Sequence, residues 1–206
     1  PMSLRSSPRG TLLGLALLAA LLEGIFLALR RFHPFDQNPV EVITLGLAAS
    51  GLYLVAAFLA FRSSPLPRGT LGLVLVAALA FRATLLPLEP SLSLDLYRYQ
   101  WEGQIQLAGS NPYLSTPRSL RLPGWERIPG PEVGAAYGPV TELLFRFTAG
   151  WDGVLSFKLL SLVFDLAVLL AVIGLLRVSG QPSVRALLYG WCPLVVLEFA
   201  GSGHND

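Results

Sequence analysis

Long apolar runs separated by short polar turns dominate the chain, and one long polar segment interrupts them. The apolar runs cover residues 11–29, 40–61, 70–88, 154–176 and 186–199. Most of them approach the roughly 20 residues that a helix needs to cross a bilayer. The last run is short and contains Pro193, so we expect a broken helix there. The pattern predicts an all-α, polytopic transmembrane bundle of five spans that forms a single membrane domain over residues 1–206.

Composition agrees with a membrane location, because 53% of the residues are hydrophobic and 14% are charged, against roughly 25% charged in soluble domains. We therefore expect membrane lipids among the partners. Cys192 is the only cysteine and no basic cluster is interleaved with aromatic residues, so we expect neither an intrachain disulfide nor nucleic acid as a partner. Because Pro1 precedes Met2 and the chain ends at Asp206 inside a motif, we expect the N-terminal part of a longer protein.

Positive charges predict the orientation of the bundle. The arginines that a cytoplasmic N-terminus places on the inner side are Arg5, Arg9, Arg62, Arg68, Arg177 and Arg185. Only Arg30 and Arg31 oppose this orientation. The count requires that the short apolar stretch 137–147 does not cross the membrane, so we expect an interfacial or re-entrant helix there. The polar segment 89–153 and the closing GSGHND then lie on the same outer face.

The outer segment 89–153 begins with a candidate helix that carries several functional side chains. Asp95, Tyr99 and Glu102 fall at i, i+4 and i+7, on one helical face, and Arg98 lies beside them. Ser93 is a suitable N-cap, which would place Asp95 in the first turn, where the helix dipole favours an ionised carboxylate. A carboxylate at a membrane surface can act as a base. The alternative is an amphipathic surface helix with an i,i+3 ion pair.

The ionisable residues Glu23, Arg82 and Asp165 lie inside the predicted spans. An Asp at a span centre costs about 2.5–3.5 kcal/mol on insertion scales, so Asp165 should face other helices or a polar cavity. Asp165 could make a structural hydrogen bond between helices or contact the substrate directly, and the sequence leaves both alternatives open. Glu23 lies nearer a span end, where it either reaches the interface, pairs with another helix or has a function.

Two polar clusters about 100 residues apart are predicted to meet at the outer surface, which indicates an active site. Asp95 offers a base, Arg98 a cation for phosphate, and the second cluster offers His204 with its two neighbours. Aromatic faces suit sugar rings. No Walker loop or GxGxxG motif is present, so a lipid-borne phosphate fits better than a soluble nucleotide.

Five motifs, in order, resemble the GT-C class of polytopic glycosyltransferases. They are DLYRYQWEG from Asp95, NPY at 111–113, YGPVTELLF from Tyr137, FKLLSLVFDLAVLL around Asp165, and CPLVVLEFAGSGHND. The last is most similar to bacterial polyprenyl-phosphate-mannose-dependent mannosyltransferases. The resemblance implies inverting transfer of a hexose, with mannose favoured, from a polyprenyl-phosphate donor. The acceptor would be a hydroxyl of a glycan or glycolipid at the outer face of a bacterial inner membrane.

The resemblance also implies roles for individual residues. Asp95 would be the general base. The residues expected to contact donor or substrate are Arg98, Tyr99, Glu102, Tyr137, Asp165, His204, Asn205 and Asp206. Glu102 could orient the acceptor or only pair with an arginine, and both alternatives are open. No cofactor is expected, and although some relatives use a divalent metal, no complete metal site is visible in the sequence.

The alternative hypothesis is that the chain is a membrane transporter, a flippase or a scaffold for envelope glycolipid assembly. Glu23, Arg82 and Asp165 would then line a path through the bilayer. The sequence shows no pair of inverted hydrophobic repeats, and its polar and aromatic residues are concentrated in one outer segment. This concentration favours chemistry at the membrane surface.

Overall fold

The computed structural model describes residues 8–62, 66–67, 69–151 and 153–205. This part of the chain contains α-helices and short 3-10 or π-helical turns, with no β-strand among the described residues. The helices are α1 (Pro8–Leu29), α2 (Pro39–Arg62), α3 (Thr70–Leu85), α4 (Asp95–Leu107), α5 (Pro117–Leu120), α6 (Pro139–Ala149), α7 (Val154–Val178), α8 (Leu187–Gly190) and α9 (Pro193–Val195). The predicted all-α membrane bundle is confirmed.

Three of the described helical stretches are long and apolar enough to cross a bilayer, and a bent pair of helices adds a fourth if it is counted as one span. The three stretches are Arg9–Phe32, Pro39–Arg62 and Val154–Val178. The bent pair consists of Ser183–Gly190 and Pro193–Ser202, which meet at 56°. Pro193 cannot donate to the helical ladder, and this interrupts the helix at its N-terminal side. The predicted broken helix at the end of the chain is therefore confirmed.

Helix α3 is shorter than the span predicted over 70–88. It has 16 residues, which correspond to about 24 Å, and it does not reach the length of a span on its own. The last helical bond runs from the Leu86 N–H to the Arg82 carbonyl, because Pro87 has no N–H with which to continue the ladder. The helix therefore ends three residues before the predicted span boundary near residue 88.

The core of the bundle forms around α3. Phe81 of α3 lies 5.1 Å from Phe26 of α1 and 5.8 Å from Trp191 of the bent segment, measured between ring centroids. The Trp191 indole N–H donates to the carbonyl of Val74 at 2.9 Å. These buried aromatic contacts join α1, α3 and the bent segment into one packed unit.

Buried polar pairs also connect the helices. Arg82 of α3 makes a two-pronged salt bridge to Asp165 of α7, and Tyr189 Oη donates to Asp165 Oδ1 at 2.8 Å. Thr84 of α3 donates to Glu23 of α1. Charged groups in an apolar bundle require such partners. For both carboxylates the structure shows pairing with a neighbouring helix.

The long polar segment lies at one end of the bundle, where α1 and α3 finish and α7 begins; we call this the loop end. The connector between α1 and α2 joins it there, since His33 Nε2 donates to the Glu89 carbonyl at 2.9 Å. Helix α6 has 11 residues, about 16 Å, so the helix predicted at 137–147 is present and is too short to cross a bilayer on its own. At the opposite end, Arg185 lies 4.6 Å from the centre of the Phe61 ring. Arg5 and Arg68, used for the orientation, lie outside the described residues.

Candidate active site

Asp95 is the first residue of α4, at the loop end of the bundle. Its backbone N–H donates to Ser93 Oγ at 3.2 Å, although Leu94 is the N-cap residue. The free N–H groups of the first turn and the positive end of the helix dipole favour a negative charge at this position. The predicted placement of Asp95 in the first helical turn is confirmed, and the identity of the N-cap is corrected from Ser93 to Leu94.

His204 meets Asp95 from the other end of the sequence. Its Nε2 lies 3.0 Å from Asp95 Oδ2 and 3.4 Å from Ser93 Oγ. These residues belong to the two polar clusters that were predicted to converge on one surface, 109 positions apart. The convergence is confirmed.

Glu198 is the third member of this cluster, and the sequence analysis did not identify it. Its Oε2 lies 3.2 Å from His204 Nδ1, and its carbonyl accepts the His204 backbone N–H at 2.9 Å. The signal for it was a single carboxylate in the otherwise apolar run before GSGHND. Glu198 belongs to the π-helical segment Val196–Ser202, and sequence periodicity does not indicate such a segment.

Helix α7 holds the turn that presents His204. Gly203 adopts φ +70°, a conformation that side chains other than glycine rarely adopt. A Cβ at this position would lie 2.9 Å from Lys158 Cγ, and Ser161 Oγ donates to the Gly203 carbonyl at 3.0 Å. The imidazole is thus carried on a fixed turn between α7 and α4.

The cluster therefore consists of an imidazole between two carboxylates. Each ring nitrogen of His204 faces a carboxylate oxygen, and only a ring with a proton on both nitrogens can donate to both. The side chains are 36% exposed for Asp95, 24% for His204 and 34% for Glu198. A substrate hydroxyl can therefore reach the Asp95 carboxylate, while the imidazole fixes its orientation.

Arg98 does not face this cluster as a phosphate ligand. Its Nε donates to Glu102 at 2.8 Å, and its two terminal nitrogens donate to four carbonyls, those of Pro129, Gly130, Val133 and Gly134, at 2.6–3.1 Å. These bonds use all five N–H groups of the guanidinium. Arg98 therefore holds the loop 129–134 against α4, and its expected contact with a substrate phosphate stays a prediction. For Glu102, the alternative of pairing with an arginine is confirmed.

The two tyrosines expected at the substrate form part of the packing between α4 and α6. Tyr99 is 2% exposed, and its ring stacks on Phe145 with centroids 4.6 Å apart. Its hydroxyl lies 2.9 Å from the Tyr137 hydroxyl, and the Tyr137 carbonyl accepts from Tyr113. Tyr99 therefore lies in the interior of the outer segment, and the half-buried Tyr137 packs against it. Their expected contacts with substrate stay predictions.

Asp165 is fully buried and bonded to Arg82 and Tyr189, so the structure shows the structural hydrogen bond between helices. Substrate contact by Asp165 stays a prediction. Asn205 follows His204 and is partly exposed. Asp206 lies outside the described residues. Within the described ranges, no three His, Cys, Asp or Glu side chains are grouped so that they could hold a metal ion.

Comparison with known families decides what kind of protein carries this cluster. A model of the alpha-(1->6)-mannopyranosyltransferase family, N-terminal domain, matches residues 12–206. The chain belongs to this family. Searches of curated proteins and of solved structures found no match. Membership identifies the chain as a glycosyltransferase domain of the mannosyltransferase type, and its apolar helices indicate a membrane protein. Membership of this family favours the hypothesis of an enzyme over that of a transporter or a scaffold.

Proposed function

We propose that this chain carries the base of an inverting mannosyltransferase that uses a polyprenyl-phosphate-mannose donor, and that Asp95 is that base. The observation that carries the proposal is the 3.0 Å contact between Asp95 Oδ2 and His204 Nε2. It places a partly exposed, oriented carboxylate where two distant segments of a mannosyltransferase domain meet.

The proposed reaction is a single displacement. Asp95 accepts the proton of an acceptor hydroxyl as the hydroxyl oxygen forms a bond to the anomeric carbon of mannose. The bond between that carbon and the lipid phosphate oxygen breaks, and the phosphate leaves with the electron pair. Attack from the face opposite the phosphate inverts the anomeric configuration. A positioned base contributes roughly 10²–10⁴-fold to such a rate.

His204 and Glu198 act on this step through Asp95. The imidazole bonded to Asp95 Oδ2 holds the carboxylate in one rotamer, and Glu198 holds the imidazole. We therefore place His204 beside the base and not on the leaving phosphate. Asn205 and Asp206 remain proposed ligands of sugar hydroxyls. A divalent metal forms no part of this proposal.

The donor and the location follow from the surroundings of the cluster. The cluster lies at the end of a bundle of apolar helices, which suits a substrate with a lipid tail and a polar head. Arg9, Arg62 and Arg177 occur at the helix ends opposite the loop end, which supports a cytoplasmic N-terminus and a site on the outer face of a bacterial inner membrane. The acceptor is a hydroxyl of a glycan or glycolipid.

The experiment compares mannose transfer by membranes that carry the full-length protein or its variants. Labelled polyprenyl-phosphate mannose is the donor, and polyprenyl-phosphate glucose tests the sugar. Asp95→Asn should reduce transfer by roughly 10²–10⁴-fold at equal expression. Asp36→Asn, which alters an exposed Asp at the same end, should leave transfer unchanged. Transfer that survives Asp95→Asn would exclude Asp95 as the base, and transfer from a nucleotide sugar alone would contradict the donor.

A further inference from the structure

Two glutamates from different helices meet in the interior of the outer segment. Glu102 of α4 is 0% exposed and Glu142 of α6 is 2% exposed. Arg98 Nε donates to Glu102 Oε1 at 2.8 Å, and Gln106 Nε2 donates to Glu142 Oε2 at 2.9 Å. The remaining oxygens, Glu102 Oε2 and Glu142 Oε1, are buried and receive no hydrogen bond from the described part of the chain. Gln106 Nε2 also donates to the Glu102 carbonyl at 3.1 Å, so one side-chain amide bridges the two glutamates across α4 and α6.

Charge and hydrogen-bonding capacity determine how many protons this pair holds. An ionised carboxylate only accepts hydrogen bonds, so two ionised groups would leave both buried oxygens without a donor. Arg98 supplies one positive charge to the pair, and that charge balances one carboxylate. A second buried anion would have no compensating charge and would be costly. One proton between the two groups satisfies both oxygens and makes the cluster neutral.

We infer that Glu102 and Glu142 share one proton, and that this shared proton fixes α4, the helix that begins at Asp95, against α6. Both are positioning residues. The shared proton is argued from burial, hydrogen bonding and charge balance, whereas its effect on catalysis rests on the proposed role of Asp95.

The packing between α4 and α6 leaves no room for the pair to separate without moving a helix. Gly103 of α4 contacts α6 so closely that an added Cβ would overlap the Phe145 carbonyl oxygen and lie 2.7 Å from the Ala149 Cβ. Gly103 is adjacent to Glu102, so repulsion between an ionised Glu102 and an ionised Glu142 would act on the whole of α4. Because Asp95 lies two turns before Glu102 on the same helix, a shift of α4 would change its distance from His204.

The pair has charged and titratable neighbours from every element packed against it. Arg98 and Asp95 on α4 and Tyr113 between the helices interact with the pair, and Arg146 of α6 lines the same cavity as Glu142. Lys158 of α7 and Glu132 of the loop bind other groups. Burial raises the pKa of Glu102; Arg98 opposes this shift and Asp95 adds to it. Arg98 also opposes the upward shift of the Glu142 pKa. Lys158 donates to the Leu88 carbonyl at 2.6 Å, and Glu132 is exposed and paired with Arg118.

Burial and the neighbouring Glu102 raise the pKa of Glu142 from 4.5 to about 8. A carboxyl whose pKa is higher in the folded state contributes stability that is complete below its unfolded pKa. This contribution is lost as the pH rises through the folded pKa. The stability supplied by the protonated pair should therefore decline between about pH 4.5 and about pH 8.

Infrared difference spectroscopy on the full-length protein in detergent tests the shared proton directly. The carbonyl stretch of a protonated carboxyl should be present at about pH 6 and disappear by about pH 9.5. Glu142→Gln should remove this titrating band, whereas Glu126→Gln, at an exposed glutamate of the same segment, should keep it. If neither Glu142→Gln nor Glu102→Gln folds, the wild-type titration decides alone. A wild-type spectrum without a titrating protonated carboxyl would overturn the inference.

Thermal unfolding and activity test the positioning role. A Gln at 142 can donate to Glu102 at every pH, so the melting temperature of Glu142→Gln relative to wild type should rise by at least about 4 °C between pH 5 and pH 8.5. The mannose transfer of wild type should fall across the same pH range more steeply than that of Glu142→Gln. A pH-independent difference in melting temperature would exclude the positioning role. If the wild type transfers no mannose, the proposed function fails, and the infrared band still decides the shared proton.

Discussion

Arg98→Lys distinguishes the structural role of this arginine from the phosphate-binding role that the sequence indicates. Lysine has three donors in place of five, so at least two of the bonds to Glu102 and the four loop carbonyls must be lost. Hydrogen bonds to charged groups contribute about 1.5–3 kcal/mol each. Because Arg98 is 7% exposed and water replaces part of each bond, we expect a loss of about 2–4 kcal/mol.

Thermal unfolding in detergent, followed by tryptophan fluorescence, measures this loss. A change of 1 kcal/mol shifts the melting temperature of a protein of this size by about 2–4 °C, so Arg98→Lys should lower it by about 5–15 °C. Arg98→Ala leaves Glu102 without its cation and should cost about 3–5 kcal/mol. The control is Arg118→Lys, whose side chain is 58% exposed and whose effect should stay within about 0.5 kcal/mol.

The reasoning is refuted if Arg98→Lys melts at the wild-type temperature and instead raises the KM for the lipid donor. That result would mean that the guanidinium contacts the phosphate of the substrate, and that the four loop carbonyls do not depend on it. A lower melting temperature with an unchanged KM would support the structural role.

Three further predictions use the same assays. Asp165→Asn should lower the stability by about 3–5 kcal/mol, because Arg82 would remain buried without its anion; an unchanged melting temperature would contradict this. Gly103→Ala should cost about 1–3 kcal/mol by forcing α4 from α6, and a stable variant would show that the helices can separate. Glu198→Gln should reduce kcat about tenfold, or about 1.4 kcal/mol, at unchanged KM by loosening His204; a wild-type kcat would exclude this role.

The sequence predicts the features that depend on local pattern and on the number of crossings. The helix from Asp95 follows from the spacing of its polar face, and the break in the last helix follows from Pro193. The meeting of Asp95 and His204 follows from counting spans, because an even number of crossings between them returns the chain to the same face. None of these predictions required knowledge of tertiary contacts.

Predictions that depend on which side chains pair across the fold were less successful. Arg98 is indistinguishable from a phosphate ligand until the loop 129–134 is seen to fold back onto it. Asp165 is the same kind of case, since Arg82 lies 83 positions away and nothing in the local sequence identifies it as the partner. Glu198 depends on a π-helical segment, and Glu102 and Glu142 meet only because Gly103 lets two helices touch. Long-range pairing and irregular helical rotation leave no periodic signal.

The most direct test of the catalytic assignment is a double-mutant cycle on Asp95 and His204, with single-turnover mannose transfer as the measured rate. If His204 acts only by orienting Asp95, then Asp95→Asn with His204→Gln should be no slower than Asp95→Asn alone, which is roughly 10²–10⁴-fold below wild type. Residues that act as one unit show this non-additivity. Losses that multiply would mean that the two side chains act independently and would contradict a base held by the histidine.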